Sequence, residues 1–319
     1  MTAEMAYGAL SAKVRALYGK RLRSDDFARL AARRSEAEIL DELRQHPGWS
    51  RALALVPPGA WGYVGRVEVE RALQEELRLE YQSLAYYVPR EAPPPPRIAL
   101  HSRLDEAAAA ACTTYDQLTE AARDTIYYSA LRQLRPPRTD ELPDFTRADA
   151  VLRTAYYAHL LRIVRSQYQG RTQKVLLRAI GEQIDLLNIL HILRLKTYFP
   201  QTSREDYAGV LFPFQYRLTM DFLRRLCEAP GAEGAYGLLR ESPYGDCFDE
   251  TAVDAVEEYY QRAVFRFNKR QLSAVPPSIY TAIAYLELKE LELGVLVNVI
   301  ESVKYGVPYH AEFANLVGG

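Results

Sequence analysis

The residues with the most chemistry to offer lie on one stretch, Ile180 to Pro200, which reads IGEQIDLLNILHILRLKTYFP. Asp185, Asn188 and His191 recur three positions apart, so on a helix their side chains can hydrogen-bond along one face. Such a trio suggests a polar site inside a helical bundle. An enzyme built on it needs a concave polar pocket with strongly shifted pKa values. The simpler reading is a core histidine satisfied by its neighbours. Other catalytic signatures are missing. No G-x-x-x-x-G-K-[ST] occurs to cradle phosphates, and no H-E-x-x-H or G-x-S-x-G is present. The histidines at 46, 101, 159, 191 and 310 lack ligand spacing. Gly231, Gly234 and Gly237 are spaced like a dinucleotide fingerprint, but no strand precedes them, so a loop between helices is expected. Cys112, Cys227 and Cys247 are odd in number, lack a Cys-x-x-Cys, and read as reduced cytosolic thiols. No catalytic, cofactor-binding or metal-binding residue is assigned.

The element that must carry the polar trio is a helix. Apolar residues at 184, 186, 187, 189, 190, 192, 193 and 195 cover most of its circumference, which predicts that other helices enclose it. Pro200 ends it, because proline lacks an N–H and restricts the residue before it. The design returns at 289–308, KELELGVLVNVIESVKYGVP. Glu290, Leu296, Ile300, Lys304 and Pro308 fall 108 residues after Glu182, Asn188, Ile192, Lys196 and Pro200.

Helical periodicity runs through the rest of the chain. Helices are predicted over 3–22, from Ser24 as N-cap, and from about Ser35 in a Ser-Glu-Ala-Glu capping box to His46-Pro47-Gly48-Trp49. Further helices are expected over 66–88, 102–112, the segment TYDQLTEAARDTIYYSALRQL, 146–169 and 171–198 hinged at Gly170, 215–228, 250–272 and 278–304. Val56–Gly65 and Pro136–Pro143 read as loops, and Pro93–Pro96 as a stiff extended linker. Strand-like alternation is scarce, so the fold class is all-α.

Short signatures repeat in order, as in a helical array. Acid–aromatic–Ala–x–branched occurs at Asp26–Leu30, Asp206–Val210 and Glu312–Leu316, with a weaker copy at Tyr115–Leu118. Ile39-Leu40-x-x-Leu43 before His46-Pro47-Gly48 matches Phe222-Leu223-x-x-Leu226 before Ala229-Pro230-Gly231. Arg123-Asp124-Thr125-x-Tyr127 matches Arg240-Glu241-Ser242-x-Tyr244. Three related units are expected, 1–92, 97–170 and 171–274, followed by a closing helix in 275–319. Each buries its apolar face against the next.

Composition bounds the partners. The chain has 319 residues, 48% of them apolar and 25% charged, and a net charge of −1, so bulk charge argues for neither nucleic acid nor anionic membrane. The apolar run Leu293–Ile300 is far short of the roughly 20 residues of a membrane span. The opening MTAEMAYGALSAKVRAL lacks the layout of a signal peptide. Eight basic residues fall between Lys13 and Arg34, and seven acids between Glu241 and Glu258. Solvated faces explain both runs, and opposite poles also suit a body held between two partners. The 23 tyrosines, several in pairs, fit core packing with one ring at its edge, or a protein contact.

Four segments carry a family resemblance. AYGALSAKVRAL resembles the N-terminal helix of the C-type central-stalk component of prokaryotic A/V-type (V-type) ATPases, homologous to the d component of the eukaryotic enzyme. DLLNILHILRLKTYF (185–199) is similar to that family's recurring acid, Asn, I-L-R-x-K helix, and EAARDTIYYSALRQL to its Leu…Thr-x-Tyr…Leu segment. LKELELGVLVNVIESVKYGVP (288–308) resembles its closing helix, although Gly294 and Val295 stand where Asn-Leu is expected, and residues 76–112 match poorly. The resemblance implies three related helical domains in a pseudo-threefold, funnel-like arrangement. It implies a non-catalytic central-stalk socket joining the D- and F-type shaft subunits to the membrane proteolipid ring, so that ATP hydrolysis or synthesis is coupled to proton or Na⁺ transport. Such a protein binds no nucleotide or ion, does not span the membrane, contacts no nucleic acid, and sits peripherally on the cytoplasmic side. Arg194, Lys196, Lys304 and Tyr305, near helix ends, are the expected partner contacts; the alternative is that the cations simply answer the helix macrodipole. A helical-repeat scaffold outside any rotary ATPase would share these periodicities.

Overall fold

The computed structural model describes residues 3–54, 66–89, 105–135, 144–248, 256–274, 276–309 and 311–319. All regular structure among them is helical. The chain divides into two compact units, residues 1–92 with 261–319, and residues 93–260. The first unit opens with α1 (Ala3–Tyr18), α2 (Ser24–Ala31), α3 (Glu36–Leu43), α4 (Ser50–Leu53) and α5 (Arg66–Ala85). The second supplies α6 (Glu106–Ala110), α7 (Tyr115–Ala121), α8 (Tyr128–Gln133), α9 (Phe145–Gln167), α10 (Gly170–Tyr198), α11 (Arg204–Val210), α12 (Met220–Glu228) and α13 (Gly231–Arg240). The unit boundary falls inside α14 (Val256–Leu272), and the first unit closes with α15 (Ile279–Tyr305) and α16 (Ala311–Gly318).

In the first unit α15 is the axis. Helices α1, α2, α3, α5 and α16 pack on it. Leu10 and Val14 of α1, Leu73 of α5 and Leu296 and Val299 of α15 are fully buried there. Two copies of the five-residue signature meet in this unit. Phe27 of α2 and Phe313 of α16 are both buried, the two helices touch, and each also packs on α15. The approach is close enough that a Cβ on Gly318 would collide with the backbone at Arg23 and Ser24.

In the second unit α10 is enclosed by α9, α11, α12 and α13, as its all-round apolar coat demands. From Ile180 to Leu193 only Gln183 and His191 are more than marginally accessible. Gly170 takes φ +60°, a left-handed conformation costly for other residues, and marks the expected hinge between α9 and α10. The third signature copy sits in α11, where Tyr207 and Val210 are buried and Asp206 accepts from the Ser203 N–H at 2.9 Å.

One turn recurs three times. His46, Thr125 and Ser242 each donate a backbone N–H to the carbonyl three residues back, at Leu43, Ala122 and Leu239 (3.1, 2.9 and 3.0 Å). Each side chain then accepts the N–H two residues on, from Gly48 (3.2 Å), Tyr127 (3.1 Å) and Tyr244 (3.1 Å). A short polar side chain closing its own turn is why Ser and Thr, or a histidine with a free Nδ1, stand at this point.

Some local expectations need correcting. Ser24 is the first helical residue rather than the cap. Arg23 precedes the helix, its N–H is taken by Asp26 at 2.8 Å, and Ser24 donates instead to the Asn315 carbonyl at 3.3 Å. Ser35 caps α3 by accepting from the Glu38 N–H, while the Glu38 carboxylate turns to the Arg34 N–H at 3.1 Å rather than completing the box on Ser35. Residues 215–219 are irregular, since backbone N–H groups of this segment bond to Asp185 rather than to a preceding turn. Gly231, Gly234 and Gly237 lie on helix α13, not in a loop; burial of Ala235, Tyr236 and Leu239 outweighs the helix penalty of three glycines. The loops expected at Val56–Gly65 and Pro136–Pro143, the Pro93–Pro96 linker, the start of the 102–112 helix, His101 and His310 fall outside the described residues.

Candidate partner-contact site

Asp185 and Asn188 of α10 are tied to the backbone of a neighbouring segment. Asp185 is fully buried, and its Oδ2 accepts from the backbone N–H of Arg217 (2.7 Å) and Leu218 (3.1 Å) and from the Tyr244 hydroxyl (2.9 Å). Burial pushes its carboxyl above the usual range, against the pull of these hydrogen bonds. Tyr244 is pushed far up, by burial first and then by the Asp185 charge. Asn188, also fully buried, accepts from the Phe212 N–H at 2.8 Å and donates to the Phe212 carbonyl at 3.3 Å. His191 meets the Phe212 ring edge-on, 5.7 Å between centroids. Burial, with Arg153 and Arg194 nearby, pushes its pKa down to about 4, so the ring is neutral at pH 7. Asp185 and Asn188 are thus committed to backbone and shut off from solvent, while His191 stays half-buried.

The four expected contact residues fall at the ends of two helices, one in each unit. On α10, Arg194 donates from Nε to Glu257 at 2.6 Å and is partly exposed. Lys196 is buried, and its Nζ donates to the carbonyls of Cys227 (2.9 Å) and Ala229 (2.6 Å) at the end of α12. Those carbonyls lie at a helix C-terminus, where a cation is favoured. Burial lowers the lysine's pKa. Beyond it Tyr198 and Phe199 are exposed.

On α15, Lys304 pairs with Glu36 at 3.1 Å and lies 6.0 Å from the Tyr305 ring centroid. Tyr305 is 62% exposed and Val307 51%. Gly306, at φ +68°, ends the helix in the left-handed cap that glycine allows. The basic run near the N-terminus is partly neutralised within the chain, since Arg29 and Arg33 both bind Glu42 (2.6 Å each).

Sequence reasoning missed a buried ionic network in the first unit. Lys289 Nζ donates to the Gly48 carbonyl (3.0 Å) and to Glu292 (3.1 Å), and lies 3.7 Å from the Trp49 ring centroid. Glu292 also accepts from Trp49 Nε1 (2.7 Å) and the Leu22 N–H (3.2 Å). Beside it, Tyr285 donates to Glu80 at 2.5 Å, and Arg51 Nε donates to Glu76 at 2.7 Å. Burial pushes the Glu80 carboxyl up and the Tyr285 hydroxyl well up. The signal was present as Lys289 and Glu292, an oppositely charged pair three apart on one helix.

Among the described residues, no group of His, Cys, Asp and Glu is arranged to hold a metal, and no helix is long and apolar enough to cross a membrane. Residues 97–311 match the model of the family described as ATP synthase (C/AC39) subunit. The C component of the A-type ATP synthase of Archaeoglobus fulgidus is 25% identical over 194 residues, covering 60% of this chain and 54% of that protein. The chain thus spans about half the length of the curated relative it matches.

Proposed function

We propose that this chain, which belongs to the ATP synthase (C/AC39) subunit family, is a non-catalytic coupling component of a rotary A/V-type ATPase. It acts as a central-stalk socket between the D- and F-type shaft subunits and the membrane proteolipid ring, peripheral on the cytoplasmic side. Torque passes through it, so that ATP hydrolysis or synthesis is linked to proton or Na⁺ movement. The observation that carries this reading is the family match over 97–311. The body agrees with the role, because a transmitter needs stiffness, and buried charges held by several directed hydrogen bonds resist sliding of one helix on another.

The three-unit, funnel-like organisation is part of the proposal. It draws support from the recurring turn at His46, Thr125 and Ser242, which occurs once in each of 1–92, 97–170 and 171–274. The contacts are assigned to the helix ends carrying Arg194, Lys304 and Tyr305, with Lys196 shaping one end from inside. Reconstitution tests the reading. The protein is mixed with the same organism's shaft subunits and its detergent-solubilised proteolipid ring, and complexes are read by native mass spectrometry. One copy bridging both partners is expected. A folded protein that binds neither competent partner overturns the proposal.

A further inference from the structure

The buried network of the first unit holds one carboxylate whose neighbouring cations are bound elsewhere. Glu76 and Glu80 lie one turn apart on α5, 1% and 2% exposed, so their side chains share one face. Glu76 takes Arg51 of α4 through both Nε (2.7 Å) and Nη2 (2.5 Å), and the same Nη2 stands 3.7 Å from Glu80. Lys289 of α15 is bound to Glu292 and to the Gly48 carbonyl. Glu80 receives instead the Tyr285 hydroxyl, a hydrogen bond without a charge. The other titratable groups on these helices and on α1, which also touches α5, face other partners. Lys13 lies over the Tyr87 ring, 5.9 Å from its centroid, and Tyr18 accepts from Lys269 at 2.7 Å. Tyr7 is half-buried, Arg15 is exposed, and Arg78 of α5 itself pairs with Glu75 at 2.6 Å.

Two carboxylates side by side in a dry site resist being ionised together, and a buried charge without its own partner is strongly destabilising. Glu76 holds the bidentate arginine, so the proton goes to Glu80. Burial raises the Glu80 carboxyl above its ordinary 4.5, and Glu76 and Glu292 add to the rise while Lys289 and Tyr285 oppose it. The Tyr285 hydroxyl is held well above its usual range, so it stays a donor in both states of Glu80. The site lies where three helices meet, because Arg51 comes from α4, both glutamates from α5, and Tyr285 and Lys289 from α15.

We propose that Glu80 is the proton-binding residue of a pH-sensitive clasp. Protonated, it lets α4, α5 and α15 close on one another; ionised, it sets an uncompensated charge between them and loosens α5 from α15. The clasp is independent of the coupling role proposed above. Its sign is fixed by linkage. The closed unit holds a proton that the opened unit releases, so opening is favoured as pH rises from 4.5 to the raised value of the closed state. The test uses the full chain and hydrogen exchange across about pH 5 to 8. Rates are corrected for the intrinsic exchange of each amide, and opening constants are taken for Leu77–Leu84 of α5 and Ala284–Leu293 of α15.

In the parent the opening constants should rise by up to about tenfold per pH unit within the window, the limit for one proton. Glu80→Gln has the shape of the protonated acid and can still accept from Tyr285, and it should abolish the rise. Tyr285→Phe removes a bond that favours the ionised carboxylate, so the rise should extend to higher pH. Opening constants that stay flat with pH in the parent, or a slope that survives Glu80→Gln, overturn the proposal. If Glu80→Gln does not fold, Tyr285→Phe decides, and a rise that ends where it does in the parent overturns the assignment of the proton to Glu80.

Discussion

Replacing Asp185 by alanine tests whether the polar residues of α10 hold the fold, and the structure sets the size of the effect. One carboxylate oxygen receives two backbone N–H groups and a tyrosine hydroxyl, the Leu218 and Tyr244 donors buried and the Arg217 N–H part-buried. Alanine leaves two buried donors and one part-buried donor without their acceptor, at roughly 1–3 kcal/mol for each buried one. Relief from burying a carboxylate, whose raised pKa reports that strain, offsets part of the loss. A net cost of about 3–5 kcal/mol remains, a large share of the roughly 5–15 kcal/mol that stabilises an ordinary domain. For a unit of 93–260, at about 2–4 °C per kcal/mol, melting should fall by at least about 6 °C. Hydrogen exchange should accelerate first at the amides of Arg217 and Leu218. Tyr244→Phe removes one of the three donors and should cost only about 1 kcal/mol. Its effect should largely vanish in the Asp185→Ala background, since the partner is already gone. An Asp185→Ala protein that melts within about 2 °C of the parent, with exchange at 217 and 218 unchanged, refutes the reasoning.

Three further substitutions probe other points of the packing. His191 has a folded pKa of about 4 against the ordinary 6.5, so the fold favours the neutral ring and loses its contribution as pH falls through that window. The ceiling is about 3 kcal/mol, and His191→Gln should flatten the pH dependence of stability between about 6.5 and 4; an unchanged slope counts against it. Lys289→Met leaves Glu292 buried without its cation and should cost about 3–5 kcal/mol in chemical denaturation; a shift under about 1 kcal/mol would show that Leu22 and Trp49 suffice to hold the carboxylate. Gly181→Ala brings a Cβ into the root of the Tyr216 side chain. It should destabilise by about 1–3 kcal/mol despite alanine's better helix propensity, and adding Tyr216→Ala should restore much of the loss.

The helices were legible because their signals are local. An apolar coat around Ile184–Leu195 and Gly170 between two long periodic runs each act over a few residues, whereas the short helix α11 was not expected. What escaped was non-local. Nothing near Asp185 in sequence says that the amides of 217 and 218 will come to it, so 215–219 looked helical from its own composition. The glycines of α13 failed in the opposite sense, since local propensity argued against a helix that tertiary burial then stabilised. Lys196 and Lys304 were equivalent by repeat, yet one is buried on the carbonyls of Cys227 and Ala229 and the other pairs at the surface with Glu36. Repeats fix which residues correspond; the surrounding chain decides which of them is covered.

That divergence bears on how the two long helices are held in place. An apolar replacement for a buried ion pair is often as stable or more so, so Lys289 and Glu292 are not accounted for by net stability. What they supply is direction. Lys289 ties α15 to the turn at Gly48, and Glu292 ties it to Leu22 and Trp49, so α15 is pinned to two separate stretches by bonds that fail if it rotates or slides. In the second unit Asp185 and Asn188 pin α10 to the segment 212–218 in the same way. Load applied to α15 would reach the core through these charged ties rather than through sliding apolar contacts. On the coupling role proposed above, cutting the ties at Lys289 should therefore weaken coupling even in a variant that still binds its partners.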